Sequence, residues 1–428
     1  MPNMWSCIQV DGSFDKRQVD YVRTRLERSR DTPLDIYLRE PRGLGVDQET
    51  HLVECFELVS AHLVRIRRLF LWTSTVGIND LALFTQALPL LEELGLVPPR
   101  GRHADLIYET WQPGDPRYFQ GTPNLRRLES HAACMVPAHE LSKLSYLSVS
   151  LRNTPTCDFL WQTLALTPTL QELKLYFPDG RWRDVDPGDV PNLSLPHLEH
   201  LAVYGYPEFF TWAEQLDAPK LTTLAVSVES CDRASRLFRA LRDRVRHLIV
   251  TTVEMRNGGL LDHADTIALD QLESLSTFEL RDIRENMLSS GNQSFFQHLV
   301  DRVIESIDGS HWAARVRTLV LRRCRFNWRA CATLIRFIEV RQSASAEHGR
   351  PMLRLELVDT TFVKYGSFKP AGFDAVAHHF SGARFERIYL NSTSWQEPVD
   401  EWDKWSDADE DGGAGGVIGW HIFNKSDT

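Results

Sequence analysis

The sequence has no long apolar run, so we do not expect a helix that crosses a membrane. A spanning helix needs about 18 to 20 apolar residues, whereas apolar stretches such as Leu334–Val340 contain a charged residue every few positions. The first 14 residues have no basic residue or apolar segment before Asp11, so the layout of a secretory signal is also missing. We therefore expect a cytoplasmic and/or nuclear protein with no membrane partner.

The sequence also has little that indicates disulfides or metal ligands. Its seven cysteines are odd in number and include no CxxC pair, so we expect reduced thiols that pack as small apolar side chains. Asp407, Asp409, Asp411 and Gly412 match the first half of an EF-hand calcium loop, but the twelfth position, which needs a glutamate, is Ile418. We predict no bound metal ion and no cofactor.

The signature motifs of common enzymes are missing as well. The sequence has no glycine-rich phosphate loop after a strand, no HExxH zinc motif and no GxSxG nucleophile turn. Its formal charge of −10, from 48 basic and 58 acidic residues, repels nucleic acid unless basic side chains gather on one face. We predict a protein that is not an enzyme and has no nucleic-acid partner. An enzyme built from scattered Ser, His and Asp is the remote alternative.

What the sequence does contain is a recurring apolar-x-x-apolar-x-apolar pattern, with copies 19 to 41 residues apart. The last two apolar residues of each copy fall on one face of a short strand, and the first leads into it. The copies begin at Ile66, Leu91, Leu144, Leu170, Leu198, Leu221, Val245, Val316 and Phe385, with weaker copies at Leu125, Leu275 and Met352. Two further strand-like pieces are Trp5–Val10 and Pro33–Leu38.

Between these strands the apolar residues change to helical spacing, as in Leu81, Phe84 and Leu88 or in Leu334 and Ile338. One strand and one helix cannot bury their apolar faces alone, so neighbouring units must stack. The sequence therefore predicts an α/β fold, an irregular leucine-rich-repeat solenoid with parallel strands on the concave side and helices on the convex side. The alternative is a large α/β enzyme with leucine-rich strands.

We expect the domain organisation to follow this pattern. Residues 1–390 should form the solenoid with about 12 to 14 irregular repeats, and residues 391–428 an acidic, Trp- and Gly-containing tail or cap. The asparagine that many such repeats place after the strand is largely absent. Proline instead stands two residues before four copies, at Pro123, Pro168, Pro196 and Pro219, where it ends a helix and fixes an extended entry to the strand.

The residues between the apolar anchors are the candidates for function, because they point away from the core onto the concave face. Basic and acidic residues alternate there, which suits a protein partner better than a polyanion. Arginine, tyrosine and tryptophan are frequent interface anchors. The candidate partner-binding residues are Arg67, Arg68, Arg126, Arg127, Tyr146, Arg246, His247, Arg317 and, in an aromatic insertion, Trp111. For each charge the alternative is that it only keeps an exposed sheet soluble.

Two segments near the start resemble a known family. Met4–Val10 and Leu26–Leu38 are similar to the segment that follows the F-box in fungal F-box/leucine-rich-repeat proteins. In that family the F-box binds a Skp1-type adaptor, and the repeats present substrates to a cullin-based ubiquitin ligase. The resemblance implies a protein–protein interaction module of the substrate-recognition type.

The F-box itself would lie before Met4 and is not in this sequence. We therefore expect a Skp1-type adaptor as a partner only if an F-box exists upstream. The alternative is an F-box-independent repeat scaffold that binds a protein partner on its concave face.

Overall fold

A computed structural model provides the structure of the protein. It describes residues 2–11, 14–39, 46–72, 86–97, 119, 121–130, 138–150, 161, 163–177, 192–205, 215–227, 235–251, 269–283, 289–290, 293–305, 311–348, 353–358 and 360–363. The chain divides into two compact units. The first comprises Met1–Tyr206 with Gln215–Leu221, and the second comprises Pro207–Glu214 with Thr222–Thr428.

The described part of the first unit contains ten strands. These are β1 (Cys7–Asp11), β2 (Leu34–Arg39), β3 (Ile66–Trp72), β4 (Glu93–Val97), β5 (Arg127–Ser130), β6 (Tyr146–Ser150), β7 (Glu172–Phe177), β8 (Leu193–Ser194), β9 (His200–Gly205) and β10 (Leu216–Asp217). All except β8 and β10 form one parallel ladder in which each strand pairs with the next one along the chain. Strands β8 and β10 pair with each other, also in parallel.

The described part of the second unit contains nine strands. These are β11 (Thr223–Ser227), β12 (His247–Thr251), β13 (Thr277–Arg281), β14 (Ser289–Ser290), β15 (Gln293–Ser294), β16 (Thr318–Arg322), β17 (Arg325–Asn327), β18 (Arg354–Val358) and β19 (Thr361–Val363). Strands β11, β12, β13, β16 and β18 form a parallel ladder in that order. Strands β17 and β19 make a short parallel pair, and β14 and β15 an antiparallel one.

Six α-helices are found among the described residues. They are α1 (Lys16–Ser29), α2 (Val46–Ser60), α3 (Ser235–Ala240), α4 (Phe295–Glu305), α5 (Trp312–Arg315) and α6 (Trp328–His348). Short 3-10 helices cover Pro2–Trp5, Leu63–Arg65 and Ala138–Lys143. No helix in the described part of the chain is both long and apolar enough to cross a membrane.

Helix α1 shows how the local sequence fixes an element. The carboxylate of Asp15 accepts a hydrogen bond from the Gln18 amide at 3.0 Å and caps the helix start. Val19, Val22 and Leu26 stand on one side of the helix and are buried, as their spacing predicts. These contacts attach the helix to the core between β1 and β2.

The predicted α/β class and parallel strands are confirmed. Eleven copies of the apolar pattern coincide with described strands, and the two N-terminal pieces coincide with β1 and β2. The anchors point into the core; Leu147 and Val149 of β6, for example, are both buried. The copy at Phe385, the helix predicted from Leu81 and Phe84, and the tail with its EF-hand-like run lie outside the described residues.

The four prolines before strands occupy a common turn. Each is the second residue of a four-residue turn, a position that suits proline because its ring fixes φ near −65°. The turns are closed by the amides of Leu125, Leu170, Leu198 and Leu221, which donate to Thr122, Thr167, Leu195 and Ala218 at 3.0, 3.1, 3.1 and 3.2 Å. All four leucines are buried. The tight turn therefore places the first anchor of each repeat in the core.

Side chains at two of these turns, and at the equivalent turns before Leu144 and Leu275, link one repeat to the next. Each donates to a backbone carbonyl of the preceding turn, so it satisfies a group that the tight turn leaves free. These bonds are Asn124 Nδ2 to Pro89 O (2.8 Å), Lys143 Nζ to Pro123 O (2.9 Å), Thr169 Oγ1 to Ser142 O (2.9 Å) and Ser274 Oγ to Asp243 O (3.0 Å). Asn, Lys, Thr and Ser side chains thus satisfy the turn carbonyls in a sequence that has few asparagines after its strands.

Candidate partner-binding surface

Alternation along each strand gives the sheet a leucine-lined core face and a second face, which we call the non-core face. In the first unit its middle row, in register, consists of Gln9, Tyr37, Phe70, Gly95, Glu129, Ser148, Lys174 and Ala202. In the second unit the corresponding row consists of Ala225, Ile249, Glu279, Val320 and Glu356. The residues two positions before and after each of these complete the face.

Arg67 and Arg68 form cross-strand ion pairs. The register shifts between Leu34 and Asp35, which makes Arg67 the extra residue of a bulge. Its Nε and Nη2 lie 2.9 and 2.6 Å from the two carboxylate oxygens of Asp35. Nε of Arg68 lies 3.1 Å from a carboxylate oxygen of Glu93 on the next strand. Both predicted binding residues therefore carry charges that a neighbouring strand already compensates.

The aromatic rings of Tyr37 and Phe70 stack on the non-core face, with centroids 5.3 Å apart and planes 10° apart. Phe70 extends over Gly95, where a Cβ would stand only 2.1 Å from Phe70 Cδ1. Glycine is required at this position because the ring occupies the space of any side chain. Only 9% of Tyr37 and 4% of Phe70 is exposed, so the start of the first unit's face is a closely packed aromatic pair flanked by ion pairs.

Tyr146 is the centre of a cationic cluster in the first unit. The guanidinium carbon of Arg127 lies 3.5 Å from the ring centroid, and Lys174 Nζ lies 5.0 Å from it. Lys174 also pairs with Glu172 at 2.8 Å. The structure thus brings the predicted residues Arg127 and Tyr146 into contact. It also shows that Tyr146 is only 5% exposed, because longer neighbours cover it, and its hydroxyl has no hydrogen-bond partner among the described residues.

Glu129 is a buried carboxyl group next to this cluster. It is 1% exposed, and neither carboxyl oxygen has a hydrogen-bond partner in the described part of the chain. Burial raises the pKa of Glu129, while the charges of Arg127 and Lys174 oppose the rise only in part. Relative to a free glutamate, this residue therefore favours the neutral form.

Glu279 is the corresponding buried glutamate of the second unit. Its Oε1 accepts from Nε of Arg281 at 2.8 Å and from Nε of Arg322 at 3.0 Å, while His247 Nε2 lies 3.2 Å from Oε2. Burial alone would raise the pKa of Glu279, but the three basic groups outweigh it and lower the pKa to about 2. The carboxylate is 3% exposed, whereas the side chains of Arg281 and Arg322 are 33% and 35% exposed. Two accessible arginines are therefore held over a buried anion.

Three predicted residues, Arg126, Arg246 and Arg317, are exposed. Each stands directly before a strand, and its backbone is fixed by the ladder; the Arg317 amide, for example, donates to Ser276 O at 2.8 Å. None of these three side chains has an ion-pair partner among the residues that the structure describes. These arginines are available to a partner. Trp111 lies outside the described residues.

Arg281 and Arg322 were not among the residues that the sequence predicts to bind a partner. A signal for the two arginines was present, since each directly follows the last apolar anchor of its copy, Leu280 and Leu321. Aligning the copies would have placed both in one row of the sheet. The burial of Glu279 had no such signal.

The described residues provide no metal-binding cluster, and their two buried cysteines are not activated thiols. They contain no group of three or more His, Cys, Asp or Glu that could hold a metal ion. Cys55 and Cys324 are free and buried, and burial raises the pKa of both thiols to about 12. At neutral pH these two cysteines are protonated and poorly nucleophilic.

Comparison with known proteins adds no family assignment. No protein-family model matches the chain, and no curated protein matches it.

Proposed function

We propose that the protein is an irregular leucine-rich-repeat module that binds a partner protein through the non-core face of its parallel strands. The observation that carries the proposal is the in-register array of aromatic and charged side chains on that face, opposite a core of leucines. Rows of fixed, chemically mixed side chains favour recognition of a folded protein or peptide, because they offer both shape and charge complementarity.

The rigidity of this array supports a binding role. Ion pairs hold Arg67 and Arg68 in place, and the guanidinium group of Arg127 contacts the Tyr146 ring. A side chain that is already ordered loses less conformational entropy when it contacts a partner. Charges that only kept the sheet soluble would need no such fixation.

We further propose that the module belongs to the substrate-recognition type found in F-box/leucine-rich-repeat proteins. The two segments that carry the resemblance lie in the 3-10 helix Pro2–Trp5, β1, the end of α1 and β2, and they contact each other. The guanidinium carbon of Arg28 stands 4.5 Å from the centroid of the Trp5 ring, and the Asp35 amide donates to Ser6 O at 2.9 Å. The similar segments thus form one structural unit. The alternative is an F-box-independent scaffold that uses the same face.

Affinity capture with the full chain tests the proposal. We compare Arg68→Glu and Arg354→Glu, each two positions before a middle-row residue of the non-core face, with Arg17→Glu and Arg239→Glu, which change exposed arginines on helices α1 and α3. Mass spectrometry should find a protein whose recovery falls only with the non-core-face variants. A Skp1-type adaptor and a cullin in the same eluate support the substrate-recognition type, and a stable complex without them supports the scaffold. Equal losses with the helix variants would contradict the proposed face.

A further inference from the structure

Arg281 and Arg322 are adjacent on the non-core face of the second unit. They are register partners on the neighbouring strands β13 and β16. Both donate to the same carboxylate oxygen, Oε1 of the buried Glu279, at 2.8 and 3.0 Å. The shared acceptor fixes the position of both guanidinium groups before any ligand arrives.

Both guanidinium groups keep unused donors. A guanidinium carries five N–H groups, and Arg281 uses Nε and Nη2 on Glu279, whereas Arg322 uses only Nε. The remaining N–H groups of the two arginines have no acceptor among the described residues. With one carboxylate and two guanidinium groups, the centre carries a net positive charge even when His247 is neutral.

Beside this centre the structure describes no unpaired carboxylate, although the whole chain carries a charge of −10. The neighbouring acidic residues are already paired: Asp282 with Arg323 at 2.6 Å and Glu356 with Arg354 at 2.9 Å. No free carboxylate in the described part of this face competes for the two arginines.

We infer that Arg281 and Arg322 bind an oxyanion, a phosphate monoester or a carboxylate, that a partner protein presents to the second unit. The inference rests on the proposed function and specifies its chemistry. Two neighbouring guanidinium groups match an oxyanion because they donate several N–H bonds to it from fixed directions. Glu279 positions both guanidinium groups through its shared oxygen. Its register neighbours Ile249 and Val320 are buried, so they keep water away from the carboxylate.

The direct test follows the Nε–H signals of Arg281 and Arg322 by NMR in the full chain, assigned with the variants R281K and R322K. Inorganic phosphate, phosphoserine and acetate are titrated at constant ionic strength. We expect both signals to shift together and to saturate with phosphate and phosphoserine. Tighter binding of phosphoserine than of acetate assigns the site to a phosphorylated residue, and equal binding assigns it to a carboxylate.

Variants distinguish binding at a specific anion site from nonspecific electrostatic attraction. Replacing Arg322 by Gln should weaken phosphate binding about tenfold, since it removes charge-assisted hydrogen bonds worth about 1.5 kcal/mol or more. The matched control Arg317→Gln removes an exposed arginine directly before β16, at the other end of the strand from Arg322, and should change binding far less. Glu279→Gln keeps an oxygen acceptor that can position both arginines and removes the opposing negative charge, so phosphate should bind at least as well. Circular dichroism checks that each variant is folded.

Two outcomes would overturn the inference. One is the lack of any saturable shift with the three anions, and the other is unchanged phosphate binding in the folded double variant R281K/R322Q. Partner capture is a separate readout. If the arginines bind no anion but the partner is still captured through the non-core face, the inference fails and the proposed function stands. If an anion binds but no partner depends on this face, the proposed function fails.

Discussion

The two buried glutamates of the sheet, Glu129 and Glu279, occupy the same row position in the two units but have opposite environments. Glu129 is 1% exposed and has no hydrogen-bond partner among the described residues, whereas Glu279 is contacted by three basic side chains. The pKa of Glu129 is raised by burial, and that of Glu279 is lowered to about 2. Position in a repeat sets where a side chain points, and residues on neighbouring strands set its charge.

The parts of the non-core face around these two glutamates also differ in how their arginines are paired. Near Glu129 the guanidinium group of Arg127 makes a cation–π contact with the Tyr146 ring. Near Glu279 the arginines share a carboxylate and keep free donors that are open to solvent. Around Glu129 the face therefore presents Arg127 and Lys174 over a covered ring, and around Glu279 it presents two guanidinium groups with free donors.

The largest expected effect comes from Glu279→Ala. The change leaves Arg281, Arg322 and His247 without their shared acceptor, so the free energy of unfolding of the second unit should fall by about 2 to 4 kcal/mol. Urea denaturation with hydrogen exchange at the amides of β13 measures it. The control Glu356→Ala removes the more exposed carboxylate paired with Arg354 and should cost less than about 1 kcal/mol. Equal losses in both variants would mean that burial does not distinguish the two carboxylates.

Gly95→Ala should destabilise the first unit by about 1 to 3 kcal/mol, because the new Cβ would overlap the Phe70 ring. Thermal unfolding of single and double variants measures the effect. Phe70→Leu removes the ring, so in that background Gly95→Ala should cost much less. Strict additivity of the two changes would contradict this explanation, because it would show that the Phe70 ring does not limit the space at Gly95.

The two glutamates should give the units opposite pH dependence. The pKa of Glu279 is about 2 against an ordinary value of 4.5, so its contribution is complete above pH 4.5 and is lost as the pH falls toward 2. We expect about 1 to 2 kcal/mol, since its partners are about one-third exposed and screened by solvent.

Glu129 has a raised pKa, so the folded state binds its proton more strongly, and its effect on stability becomes less favourable as the pH rises above the ordinary 4.5. Hydrogen exchange in each unit between pH 3 and 7 follows both trends. The variants E279Q and E129Q should each flatten the trend of their own unit only, and a common trend in the two units would contradict the comparison.

The smallest effect is expected for Glu129→Gln. Glutamine has the same shape but needs no desolvation of a charge, so at pH 7 the stability of the first unit should stay constant or rise by less than about 1 kcal/mol. Thermal denaturation at neutral pH measures it. A clear loss of stability would show that the carboxylate has a partner that the described residues do not include.

Much of the fold was predictable from the sequence, because leucine spacing reports burial directly. Leu147 and Val149, for instance, mark the core face of β6 without any knowledge of the neighbouring strands. The candidate surface was less predictable, since side chains between the anchors were all expected to be exposed. Tyr146 is buried because Arg127 and Lys174 from adjacent strands cover its ring, and those contacts depend on register between residues far apart in the chain.

The two glutamates show most clearly what could not be predicted from the sequence. In the sequence both stand between two anchors, Glu129 between Leu128 and Ser130, and Glu279 between Phe278 and Leu280. Nothing in these neighbours indicates that only Glu279 is paired directly with basic side chains. His247 and Arg322 reach it from strands on either side, each more than 30 residues away in sequence.

The most direct test of the central claim is the Kd of the captured partner for the wild-type chain and for variants of each face. Biolayer interferometry with the purified partner gives the values for the non-core-face variants Arg68→Glu and Arg354→Glu and for the helix controls Arg17→Glu and Arg239→Glu. We predict that at least one non-core-face variant raises Kd about tenfold or more, with both controls within about twofold of wild type. Unchanged Kd in both non-core-face variants, or an equal rise in the helix controls, would contradict the claim that this face binds the partner.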